Sequence, residues 1–214
     1  MFENVQGDLH HIFLASVTLI AILNPFGNLP QFIAMTEGVK TPLRKKLFRN
    51  IVLVAFCIVV VFLLSGSFIM NFLFRVDLDD VRVAGGLILI IMGLKMLLFS
   101  QTTADYSHYH GLHFEELFKQ SIIPMAFPML VGPGTLATVI VIAEDSGMFI
   151  AIGAVLCAFV FLYVLFGYAA SIERILGKLV LYVISRIALV FITAMGVKMM
   201  ISGLSGIGVI TSHS

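Results

Sequence analysis

From Leu9 to Thr36 the chain contains no Asp, Glu, Lys or Arg, and three further uncharged runs cover residues 50–74, 120–143 and 146–172. About 20 apolar residues are enough to cross the hydrocarbon core of a bilayer as a helix. Two shorter runs, 83–99 and 187–204, each carry one lysine near the C-terminal end, Lys95 and Lys198, whose long stems can reach the interface. Six membrane-spanning helices follow, so the expected fold is an all-α, polytopic membrane protein with the lipid bilayer as its solvent. The composition agrees, with 60% hydrophobic and 12% charged residues and a mean hydropathy of +1.08. A formal net charge of +1 supplies no basic field of the kind nucleic acid requires, and no nucleic-acid partner is expected.

The leading residues include Glu3 and Asp8 rather than a basic cluster, and no small-residue cleavage site follows, so the N-terminus is expected to be retained. Cys57 and Cys157 fall inside the second and fifth spans and read as small packing residues. Lys40, Arg44, Lys45, Lys46 and Arg49 follow the first span, while Arg174 and Lys178, with Arg186 at the edge, separate the fifth from the sixth. By the positive-inside rule these loops are cytoplasmic and both termini lie outside. A multi-pass protein of the plasma (inner) membrane is the expectation.

The chain repeats itself. "IMGLKMLL" at 91–98 returns as "AMGVKMMI" at 194–201, and "NPFGNL" at 24–29 has a looser counterpart in "GPGTL" at 132–136. The implied organisation is a three-helix repeat over 1–99, a cytoplasmic polar linker over 100–116 and a second three-helix repeat over 117–214. An odd number of spans per copy inserts the second copy upside down, which is the inverted-topology repeat of many secondary transporters.

Both copies spoil their first span at mid-depth. Asn24, Pro25, Gly27 and Pro30 interrupt one, and Pro124, Pro128, Gly132, Pro133 and Gly134 interrupt the other. An unpaired backbone group in hydrocarbon costs several kcal/mol, so irregular backbone survives there only when it lines a cavity or is buried in protein. Asn24-Pro25 and Gly132-Pro133 each read as an N-cap followed by proline at the first helical position. Two half-helices therefore start at mid-membrane, and inversion makes their positive ends converge, where they suit an anionic group. The preceding halves end near Leu23 and Val131 with carbonyls that suit an ammonium group. Peptide N–H on one side and C=O on the other match a small zwitterion, with Asn24, Asn28, Thr135 and Thr138 as neutral hydrogen-bonding side chains. No acidic residue interrupts an uncharged span, which argues against cationic drugs and against a carboxylate proton relay.

The NPFGNLP motif at 24–30, the P-x-x-x-P-x-x-x-G-P-G stretch from Pro124 to Gly134 and the six-span plan resemble the MarC family of inner-membrane proteins. That family includes a transporter of small neutral amino acids. The resemblance implies a secondary transporter for substrates such as glycine and alanine, working by alternating access around a central site between the broken first and fourth helices. It places that site on Asn24, Pro25, Gly27, Asn28 and Pro30 in one half and on Pro128, Gly132, Pro133, Gly134 and Thr135 in the other. A coupling proton or cation is an open alternative to simple exchange.

The nearest rival is an aquaporin-like channel for small neutral solutes, but only the first half has Asn-Pro and no arginine follows either motif. An intramembrane enzyme is not expected, since neither H-E-x-x-H nor G-x-S-x-G occurs and Ser65, Ser67 and Ser121 have no intramembrane His or Asp to activate them. His108, His110 and His113, with Asp105, Glu115 and Glu116 nearby, have the residue types of a Zn or Ni site. They read instead as a solvated connector, and neither a metal nor a cofactor is expected. The oligomeric state is not legible from the sequence.

Overall fold

The computed structural model describes residues 2–36, 39–68, 72, 75–98 and 114–209. Eight α-helices follow one another among them: α1 (Phe2–Leu23), α2 (Pro25–Met35), α3 (Thr41–Phe68), α4 (Leu78–Leu98), α5 (Phe114–Gln120), α6 (Pro133–Ser146), α7 (Met148–Gly167) and α8 (Ala169–Gly206). A widened, π-type stretch, Ser121–Leu130, leads into α6. No strand occurs among the described residues. Four segments, Thr41–Gly66, Leu78–Leu98, Met148–Gly167 and Leu179–Gly206, are long and apolar enough to cross a membrane singly. Two bent pairs bring the number to six if each is one span: Gly7–Leu23 with Pro25–Met35, bent by 40°, and Ser121–Leu130 with Pro133–Ser146, bent by 59°.

The bends follow from proline chemistry. A residue preceding proline is pushed out of the helical region towards extended backbone. Ile123, before Pro124, has φ −127° and ψ 120°, and Phe127, before Pro128, has φ −136° and ψ 129°. Gly132, before Pro133, is likewise extended at φ −90° and ψ 170°. Asn24 resolves the same conflict differently, in left-handed backbone at φ 43° and ψ 56°, which asparagine tolerates better than most side chains. Pro30, by contrast, is accommodated inside α2.

The last span begins earlier than the charge pattern predicts. Gly177 breaks α8 with a positive φ of 75°, and the helix then runs unbroken through Arg186, so the span starts at Leu179 rather than near residue 187. Arg186 fits there because its Nη1 donates 2.9 Å to the Met96 carbonyl and also to that of Leu97, while the guanidinium carbon lies 4.7 Å from the Tyr182 ring centroid. The group thus satisfies carbonyls that the end of α4 leaves without an intrahelical donor. Residues 100–113 of the expected linker, with His108, His110 and His113, lie outside the described residues.

Packing separates into two apolar clusters. The larger joins α1, α2, α3, the Ser121–Leu130 stretch, α6, α7 and, through Ala169 and Leu181, the first part of α8, with the Phe166 ring tilted against Phe32 and edge-on to Phe48 at its heart. The smaller consists of Ile22, Leu89, Leu189 and Ile192 and is built chiefly on α4 and α8. These two helices run antiparallel in backbone contact: a Cβ added to Gly86 would fall 2.5 Å from the Gly196 carbonyl oxygen, and one added to Gly196 would fall 2.8 Å from that of Gly86. Gly93 faces Leu189 and Thr193 in the same way. Such small-residue seams let helices approach where lipid offers no hydrophobic drive to associate. Further out, α1 packs on α7 and Ser121–Leu130 on α3, while α2 packs on α8 and α6 on α4. Phe13, Val61, Ile91, Val160 and Phe191 are exposed, as a protein surrounded by lipid requires.

Candidate functional site

Both helix starts meet at one cavity. Asn24 caps α2, its Oδ1 accepting from Gly27 N at 3.3 Å, and Pro25 occupies the first turn. Gly132 caps α6 with Pro133 following, but α6 has no side-chain cap. Since proline has no N–H, the first amides of the two helices without an intrahelical acceptor are those of Phe26 and Gly134. Asn24, Asn28, Gly132, Gly134 and Thr135 line the same cavity of about 30 Å³. By the yardstick of roughly 10–15 Å³ per water this holds about two waters, so a guest of only a few heavy atoms fits without moving the walls.

Asn24 is 4% exposed, and its Nδ2 is the one buried side-chain nitrogen or oxygen among the described residues with no hydrogen-bond partner. A buried donor left unpaired costs about 1–3 kcal/mol. Its backbone conformation adds strain, which folded proteins concentrate at working sites. The Asn28 amide nitrogen, by contrast, is fully employed: Nδ2 donates 3.0 Å to the Leu23 carbonyl and 3.3 Å to that of Met129. It therefore ties the end of α1 to the Ser121–Leu130 stretch across the cavity. The Leu23 carbonyl, expected to be free for an ammonium group, already accepts this bond and keeps only its second lone pair.

Half of the residues singled out in the sequence reach the cavity. Pro25, Gly27, Pro30, Pro128 and Pro133 are not among its lining residues. They shape the backbone instead: Gly27 leaves room for the Asn24 amide and for Ser185 of α8. Thr138 turns away, its hydroxyl donating 2.8 Å to the Gly134 carbonyl. The opposite wall comes from residues that sequence reasoning missed, Leu89, Met92, Gly93 and Met96 of α4 and Leu189 and Ile192 of α8, with Ile22 beside them. Met92 and Gly93 belong to the repeated IMGLK motif, a signal that could have found them. None of the lining residues is ionisable. Lys95 and Lys198 are exposed and do not line the cavity.

The sequence profile described as MarC family integral membrane protein matches residues 9–208. The chain belongs to the MarC family. This MarC protein is 34% identical over 209 residues to the UPF0056 membrane protein YvbG of Bacillus subtilis, covering 92% of the chain and 93% of the relative. It is 31% identical over 206 residues to the UPF0056 membrane protein MJ1677 of Methanocaldococcus jannaschii, covering 93% and 98%. The UPF0056 inner membrane protein YhgN of Escherichia coli K12 is 28% identical over 198 residues, covering 92% and 97%. No solved structure matches. The MarC chain is thus an integral, multi-pass membrane protein whose family match takes in both halves of the cavity.

Proposed function

We propose that this MarC protein is a secondary transporter of small neutral amino acids such as glycine and alanine, which bind in the cavity between the starts of α2 and α6. The observation that carries the reading is the buried, unpartnered Nδ2 of Asn24, a residue that borders a cavity whose lining is neutral. A substrate carboxylate accepts from Asn24 Nδ2 and from the uncapped start of α6, where the helix dipole favours negative charge. The ammonium group turns to the remaining lone pairs of the Leu23 and Met129 carbonyls. The absence of an ionisable lining side chain suits a ligand with no net charge.

Alternating access has a physical basis in the packing. The cavity lies where the smaller cluster meets the larger one, and in this reading the middle of α8 and α4 rock against the rest to expose it to either side. An inverted repeat is supported by the α4–α8 contacts. Aligning IMGLKMLL with AMGVKMMI equates Gly93 with Gly196, Gly86 with Leu189 and Ile90 with Thr193. The neighbours of Gly196 include Gly86 and Ile90, and those of Gly93 include Leu189 and Thr193, which is the exchange a two-fold axis requires. The basic loops favour an orientation with both termini outside, and the name of the Escherichia coli relative supports an inner-membrane location.

Counterflow of labelled glycine and alanine in proteoliposomes, with and without imposed pH and Na gradients, tests the reading and identifies any coupling ion. Saturable uptake that is lost in folded Asn24→Ala and Gly132→Leu proteins is expected. Parent-like uptake by both variants would refute the site.

A further inference from the structure

We propose that Met92 sets the upper size of the substrate's side chain. The inference rests on the reading of the cavity as an amino-acid site and adds which residue limits what enters.

The cavity has two unlike faces. Asn24, Asn28, Gly132, Gly134 and Thr135 make the polar one, and α4 and α8 supply an apolar one. A bound amino acid directs its charged groups to the first, so its side chain meets the second. Not every residue of that wall can act as a size limit that tolerates change. Leu89, Leu189 and Ile192 are 2%, 2% and 4% exposed and belong to the smaller apolar cluster, so truncating them loosens α4 from α8. Leu89 is also pinned, its Cδ2 lying 2.5 Å from where a Gly134 Cβ would stand.

Met92 is different. It is half-buried, and its Cε and Sδ lie 3.0 and 3.5 Å from the position of a Gly132 Cβ, directly over the turn that starts α6. The space that other residue types would fill at Gly132 is thus occupied by the tip of an unbranched thioether, which fills irregular gaps and can be changed with little disturbance. Met96, one turn further along α4, also lines the cavity, but its backbone carbonyl is held by Arg186 at the end of the helix.

In counterflow with labelled glycine, alanine and valine, Met92→Ala is expected to raise valine transport relative to glycine by about tenfold or more, since one methylene in an apolar pocket is worth roughly 10- to 200-fold. Met92→Phe is expected to lower alanine relative to glycine, and it carries the test if Met92→Ala does not fold. A valine-to-glycine ratio within about twofold of the parent in folded Met92→Ala would overturn the proposal; the twofold margin lies well inside the 10- to 200-fold scale. If the parent carries glycine and alanine while both Met92 variants keep its selectivity, the size limit alone fails. If the folded parent carries neither, the amino-acid reading fails and takes the size limit with it.

Discussion

Asn28 is the residue whose removal most directly tests how the two halves are held around the cavity. Its amide donates to Leu23 O at 3.0 Å and to Met129 O at 3.3 Å from a side chain only 4% exposed. Asn28→Ala deletes both bonds and leaves the buried Leu23 carbonyl and the half-buried Met129 carbonyl short of a donor. Interhelical hydrogen bonds within membranes average about 0.6 kcal/mol each, with a maximum near 1.7. An orphaned buried acceptor costs about 1–3 kcal/mol. The combined expectation for Asn28→Ala is a loss of about 2–4 kcal/mol. Asn28→Asp keeps the shape but turns an acceptor towards two acceptors, so it is expected to be less stable than Ala. The chain has no tryptophan, so unfolding in mixed micelles is best followed by far-ultraviolet circular dichroism. The expected order of stability is parent, then Ala, then Asp. If both variants unfold within about 0.5 kcal/mol of the parent, below the range these bonds imply, the two bonds do not hold the halves together.

Gly196→Ala places a methyl group 2.8 Å from the Gly86 carbonyl oxygen and 2.9 Å from Leu89 Cβ, so α4 and α8 must separate. Overpacking of this kind costs about 1–3 kcal/mol, whereas Gly167→Ala, with open space around it, is expected to be neutral or slightly stabilising by the same melts. Across the seam between the clusters, Arg82 of α4 pairs with Asp79 of its own helix and with Asp145 of α6. The Asp145 side chain is 44% exposed, so Asp145→Asn is expected to cost no more than about 1 kcal/mol and to lose its effect at high salt. A larger, salt-independent loss would show that this pair is a structural anchor.

The spans were legible because hydrocarbon imposes a simple demand: uncharged runs become helices, and the charge pattern gives most of their positions. The bends were legible for an equally local reason, since Pro124 and Pro128 force Ile123 and Phe127 out of helical backbone. Arg186 was misplaced because its charge reads as a loop when taken alone, whereas the carbonyls that accommodate it belong to Met96 and Leu97, far away in the chain. The α4 and α8 wall escaped notice for a related reason. Leu89, Leu189 and Ile192 look like any lipid-facing residue until helix packing decides which side they present. The cap role of Asn24 was visible in the Asn-Pro dipeptide, but its unpaired amide was not, because an orphan is found only when every possible partner has a position.

Equilibrium binding of labelled L-alanine to the purified protein and to Asn24→Ala tests the central claim most directly. The parent is expected to bind one alanine saturably, with glycine competing, and the variant to lose at least about tenfold in affinity, the worth of a charge-assisted hydrogen bond of about 1.5–3 kcal/mol. Equal affinity in the two proteins, or no binding to the parent, would contradict the account.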